Sequence, residues 1–246
     1  MTQLGDPLFD STFPILQSEE NGSVSVAGTS VLVRHRDAEF MVTAAHVLRD
    51  NGNANPLFLS FAGENIQLDG PALMTPLTDG NDLDIAVFDL RIHPELHVLF
   101  NGYRVNSLEH PDTLPPHARS HYYIFGYPFR KATHDRKTKT IQIRPLDYIT
   151  NEAEDDLYTK YGANKETNLL VGYDPKNTND SKKIKKIAPH PHGASGGPIF
   201  RVLIDNDDHP IMLIFEGIMT RWKDKKHILS TRKSVVKSFI DSNFFA

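Results

Sequence analysis

The densest chemical signal in the chain is Gly193-Ala194-Ser195-Gly196-Gly197-Pro198. A serine hydroxyl is a weak nucleophile and needs open presentation beside a base. Small neighbours permit a tight turn and the close approach of a ligand. Such a turn can aim the N–H groups of Gly193 and Ser195 at one point, a cradle for a developing oxyanion in which one donor is worth about 3–4 kcal/mol of barrier lowering. The other readings of the hexapeptide are a glycine turn between strands and a backbone nest for an anion. Upstream, Met41-Val42-Thr43-Ala44-Ala45-His46 runs an apolar strand into two alanines and a histidine. Histidine is the usual general base near neutral pH. The chain has 12 histidines, and a lone one is more often a surface or satisfied core residue. In Asp82-Leu83-Asp84-Ile85-Ala86-Val87, Asp84 lies inside an apolar run. A carboxylate there needs a partner, and a histidine ring N–H supplies one. Asp82, nearer the turn, competes for that role, and a buried turn-capping aspartate is the plainer reading of Asp84 taken alone.

The elements that must position these residues read as short strands. Ser23 to Arg34 is valine-rich and breaks at Gly28, which predicts two strands around a turn or bulge. Phe40–Ala44, Leu57–Phe61 and Leu83–Leu90 follow. In the second half Tyr122–Phe125, the run from Ile141 to Ile149, and Leu169–Val171 continue the pattern. Pro198–Ile204 and Ile211–Ile218 flank an acidic turn and predict a hairpin. Residues 151–168 and 174–186 are polar and read as long loops. Only the end reads as helix: Val235, Val236, Phe239 and Ile240 repeat at helical spacing, with Ser230 or Thr231 available as a cap. A β-rich chain with many turns fits a sandwich or a barrel.

Composition narrows the class. The 246 residues are 39% hydrophobic and 24% charged, an ordinary globular balance. With no cysteine, neither a disulfide nor a thiolate can form. The first residues lack a basic region followed by an apolar run, so they do not read as a secretory signal. No stretch approaches the ~20 apolar residues of a membrane span. These features predict a cytoplasmic protein with no membrane partner. A net charge of −4 gives no reason to expect nucleic acid. The one basic cluster, Lys182, Lys183, Lys185 and Lys186, reads as a solvated loop.

Taken together, Thr43-Ala44-Ala45-His46, the Asp84-Ile85-Ala86-Val87 strand and Gly193–Pro198 resemble the three signatures of the trypsin-like, chymotrypsin-fold serine peptidases, in that family's order of His, Asp, Ser. The resemblance spans roughly residues 20 to 245 and is dense only at the motifs. It implies an all-β fold of two six-stranded antiparallel barrels, residues 20–110 and 118–225, and a C-terminal helix over 230–243, within a single peptidase domain covering 1–246. It implies a serine endopeptidase with His46, Asp84 and Ser195 as the triad, cleaving a protein or peptide substrate through an acyl-enzyme, most simply by limited proteolysis of one partner. A catalytically silent binding module on that fold and an esterase using the same triad are its alternatives. No cofactor or metal is required. Glu216, Gly217, Ile218 and Met219, with Thr220, would form a specificity wall, and His192 would touch substrate as the neighbour of the oxyanion turn.

Two positions depart from the family. The residue before the nucleophile is Ala194, not the aspartate that pairs with a newly cut N-terminus, which predicts a turn ordered without such cleavage or by a regulatory protein partner. Six residues before Ser195 stands Pro189, so a preference for Arg or Lys is not expected. The His190-Pro191-His192 pair offers metal-binding side chains without a supporting motif, and a loop role is expected of it.

Overall fold

The computed structural model describes residues 10–20, 22–51, 56–61, 64–76, 83–109, 119–129, 132–135, 140–176, 178–179, 185–186, 188–205, 207 and 209–245. Asp82, Lys182 and Lys183 lie outside them.

The first sheet is built from β1 (Thr12–Ser18), β2 (Val24–His35), β3 (Ala38–Thr43), β4 (Leu57–Phe61), β5 (Glu64–Gln67), β6 (Leu73–Met74), β7 (Ala86–Asp89) and β8 (Asn106–Ser107). Its order is β5-β4-β1-β2-β3-β7-β6, with β8 added beside β2. Strand periodicity sends alternate side chains to opposite faces. Val31, Val33, Phe40, Val42 and Val87 enter a core shared with the second half. Leu32, Met41 and Phe88 enter a core of the first sheet's own. The expected break at Gly28 is a bulge: Ile15 pairs with Gly28 and Leu16 with Val26, leaving Ala27 as the extra residue.

In the second half come β9 (Arg119–Gly126), the hairpin β10 (Ala132–Asp135) and β11 (Thr140–Ile143), β12 (Leu146–Thr150), β13 (Asn168–Gly172), the short pair β14 (Thr178–Asn179) and β15 (Lys185–Lys186), then β16 (Pro198–Ile204), β17 (Pro210–Lys223) and β18 (His227–Arg232). Six of them form a sheet in the order β12-β9-β16-β17-β18-β13. The predicted hairpin is β16–β17.

The expectation of two closed six-stranded barrels is corrected here. The first sheet has eight strands and ends on β5 and β6, of four and two residues, which are not paired to each other. Strands so short, with β6 exposed, offer too few backbone groups to close a cylinder. The second sheet is a half-barrel: among the described residues, its edge strand β13 meets the chain just past the other edge strand, β12, through the isolated bridge Glu152–Val171.

The expected single helix is also corrected, to four α-helices among the described residues: α1 (Ala45–Asn51), α2 (Pro94–Phe100), α3 (Asp155–Tyr161) and α4 (Lys233–Phe244). The first three have seven residues each, two turns, too short for an apolar stripe to repeat. Within the expected loop 151–168, α3 stops at Gly162, whose φ of 65° makes the left-handed cap. At the end of the chain, Ser230 and Thr231 are buried in β18 and do not cap α4, whose cap position is Arg232. No helix among the described residues is long and apolar enough to cross a membrane.

Candidate functional site

The pairing of Thr43 with Ala86 sets the end of β3 beside the start of β7. His46, just past β3 in the first turn of α1, therefore meets Asp84, just before β7. Asp84 Oδ2 lies 2.5 Å from His46 Nδ1, and its Oδ1 accepts the backbone N–H of His46 at 2.9 Å. One carboxylate thus fixes both the ring and the backbone of the histidine. An ionised carboxylate only accepts, so the hydrogen-bond pattern assigns the ring proton to Nδ1 and leaves the Nε2 lone pair free. On the carboxylate's own side, the Thr75 hydroxyl donates to the carbonyl of Leu83 at 2.9 Å and accepts the N–H of Ile85 at 3.1 Å, clamping the chain on both sides of Asp84. Burial pushes the Asp84 carboxyl up, but the hydrogen bonds and charge of His46, with the charge of Arg49, outweigh it and hold the group below its ordinary value. The Arg49 guanidinium stands 3.6 Å from Oδ1.

The Gly193–Gly197 turn comes from the second half. Gly193 and Gly196 have φ of 91° and 85°, a region that favours glycine. A Cβ on Gly196 would lie 2.1 Å from the carbonyl oxygen of Thr29, and one on Gly193 2.7 Å from the nitrogen of Phe129. Inside the turn, Ala194 N–H donates to Pro191 O at 2.8 Å and Gly197 N–H to Ala194 O at 2.9 Å, while Gly196 N–H donates to Met219 O at 2.8 Å. The N–H groups of Gly193 and Ser195 donate to nothing among the described residues.

Both parts face one cleft of about 490 Å³, whose lining includes His46, Phe129, His192, Gly193, Ser195 and the stretch Met219–Trp222 of β17. The structure thus places His46, His192, Gly193, Ser195 and Met219 on one surface, with Asp84 directly behind His46. Gly217 and Ile218 do not line it, and neither does Glu216. The carboxylate of Glu216 is buried and receives Arg201 Nε at 2.7 Å, with a second contact from Arg201 Nη2. Ile218 is in the shared core.

Several lining residues had no signal in the sequence. Trp222 packs edge-on against His190 at 4.5 Å, so the His190-Pro191-His192 segment contributes ring contacts to the cleft wall. Phe129 packs on His192 at 5.8 Å. The sole tryptophan, two residues beyond the expected wall, was the one available hint.

The expected triad is not joined. Asp84 holds His46, but no hydrogen bond links the Ser195 hydroxyl to His46 among the described residues. Among the described residues, a group of side chains able to ligate a metal lies elsewhere, at Asp205, Asp207 and His209 in the acidic turn, where Asp205 accepts the N–H groups of Asp207 and His209. No family model and no curated protein matches the chain. With neither a shared family nor closed barrels nor a joined triad, the resemblance to the trypsin-like peptidases is not upheld. The expected serine endopeptidase with its acyl-enzyme mechanism is set aside with it, as are the silent module and the esterase that depended on the same fold or triad.

Proposed function

We propose that the cleft binds an extended protein or peptide segment, and that His46, Asp84 and Ser195 are its chemically active side chains. The observation that carries this reading is the convergence, on one cleft, of an oriented imidazole and two backbone amides that have no partner among the described residues. Buried amides seek an acceptor, and those of Gly193 and Ser195 together match a carbonyl or carboxylate oxygen. In that arrangement His46 Nε2 exchanges a proton with the ligand, and Asp84 steadies the charge that results.

A peptide suits the cleft because β17 offers it an edge. The pairing of β16 with β17 ends at Pro198–Ile218, while β18 continues beside β17 to Lys223. Met219 is still held by the turn, its N–H donating to Gly197 O and its carbonyl accepting the Gly196 N–H, both at 2.8 Å. Beyond Met219 the strand has β18 on one side and the cleft on the other, the geometry of strand addition. Met219 sits on the cleft wall; Glu216, Gly217 and Ile218 act behind it by fixing the strand. The absence of cysteine supports a cytoplasmic site of action, where that partner is a substrate-like segment or a regulatory protein.

Selection from a random-peptide display library, followed by NMR titration, tests the proposal. Selected peptides should shift the amide resonances of Gly193, Ser195 and residues 219–222. A selection that enriches nothing, or peptides that leave these amides unmoved, would overturn it.

A further inference from the structure

Thr29 is fully buried, far in sequence from the turn, and uses every polar group it has. Pairing of β3 along β2 stops at Val31–Val42, so the edge of β2 at Thr29 is open. The Gly193–Gly196 turn occupies that edge. Thr29 N–H donates to Ser195 O at 2.8 Å. Its hydroxyl donates to Gly193 O at 3.0 Å and accepts the N–H of Tyr127 at 3.0 Å. Its carbonyl accepts the Thr43 hydroxyl at 2.7 Å, three residues before His46.

We infer that Thr29 is the positioning residue of the cleft, the link that sets the serine turn in register with the histidine strand. Both turn carbonyls, those of Gly193 and Ser195, are held inward by this one residue. Fixing them inward constrains the neighbouring peptide planes. The planes that carry the Gly193 and Ser195 N–H groups lie next to these. Their carbonyls, of His192 and Ala194, accept the N–H of Phe129 at 2.7 Å and of Gly197 at 2.9 Å, which leaves both N–H groups pointing away from those contacts. The same residue reaches the His46 side through Thr43, so turn and histidine share one anchor. No charged group is needed at position 194, where the buried Ala194 packs into a core of the second sheet's own with Ile124, Ile199 and Met219.

This inference rests on the proposed reading of the cleft for its consequence, but its geometry is tested separately. Thr29→Val keeps the branched shape and removes the hydroxyl; Thr29→Ser keeps the hydroxyl. In the valine variant the amide resonances of Gly193 and Ser195 should shift and their hydrogen exchange should change about ten-fold, the scale of a lost buried hydrogen bond. Amides of Val33 and Leu229, deep in the two sheets, should hold their wild-type rates. The serine variant should restore both turn amides. Should the valine variant fail to fold, Thr29→Cys, of similar size and with only a weak donor, is read the same way. Unchanged Gly193 and Ser195 amides in the valine or cysteine variant would overturn the inference, as would equal losses in the serine variant. Where selected peptides bind, the valine variant should bind them about ten-fold more weakly. A moved turn with no peptide binding in wild type would leave Thr29 as the anchor and sink the binding proposal alone.

Discussion

Asp84 does two jobs with its two oxygens, and each makes it sensitive to substitution. It orients the His46 ring, and it accepts an N–H in the first turn of α1 that has no helical partner of its own. Asp84→Asn keeps the volume but removes the charge that Arg49 and His46 face. Leaving charged or hydrogen-bonded partners unsatisfied costs about 1–3 kcal/mol, so urea denaturation at pH 7 should show a loss of that size. The sign of the pH effect follows from the depressed carboxyl. A group bound less readily by protons in the folded state stabilises the fold above its unfolded value, about 3.9, and that contribution fades as pH falls through the lower folded value. The gap between wild type and Asp84→Asn should therefore be full above about pH 5 and close on acidification. A gap that stayed constant down to pH 2 would contradict the depressed carboxyl.

At the scale of elements, the β16–β17 hairpin shows why some residues were placed wrongly from sequence. Its two strands were legible from apolar runs around an acidic turn. The register was not: bulges fall between Ile199 and Phe200 and between Leu203 and Ile204, and each moves side chains relative to the partner strand. The bulged hairpin pairs Glu216 with Arg201 in the interior, whereas the resemblance set Glu216 on a ligand-facing wall. Breaking one side of a buried ion pair costs about 3–5 kcal/mol, because the other charge is left uncompensated. Glu216→Gln should lose stability on that scale in urea denaturation, and Glu216→Leu with Arg201→Met should recover most of it. Full stability in Glu216→Gln would remove the pair from the hairpin's support. The His46–Asp84 contact was legible for the opposite reason. An apolar strand that ends in a histidine and an aspartate that opens another need only pair side by side to meet. Thr29 was illegible, since a threonine inside a valine-rich strand looks like any other strand residue until the gap beyond Val31–Val42 is seen.

For the whole molecule, the decisive feature is that the last helix returns to the first sheet. α4 follows β18 of the second sheet, yet Val236 and Ile240 lie in the core that also holds Val31, Val33 and Phe40. At its end Phe245 packs edge-on to His35 and beneath the guanidinium of Arg36 at 4.5 Å. The polar fastening is Asp241, which accepts from His35 Nε2 at 2.7 Å, Arg36 Nη2 at 2.8 Å and Lys237 Nζ at 3.1 Å. His35 is buried, and its other ring nitrogen meets Glu109. The hydrogen bond from His35, followed by that from Lys237, holds the Asp241 carboxyl down at about 2. Its depressed value means the fastening is complete above the unfolded carboxyl value of about 3.9 and is lost as pH falls toward 2. Wild type alone does not isolate this carboxylate from the rest of the cluster. The comparison with Asp241→Asn does: in that variant, amides of residues 233–244 should exchange faster than wild type at pH 6, and the difference should vanish near pH 2. Hydrogen exchange read by mass spectrometry on the C-terminal peptide measures both points. If the two proteins exchanged alike at pH 6, α4 would be held by Val236, Ile240 and the terminal aromatics without help from the charge cluster.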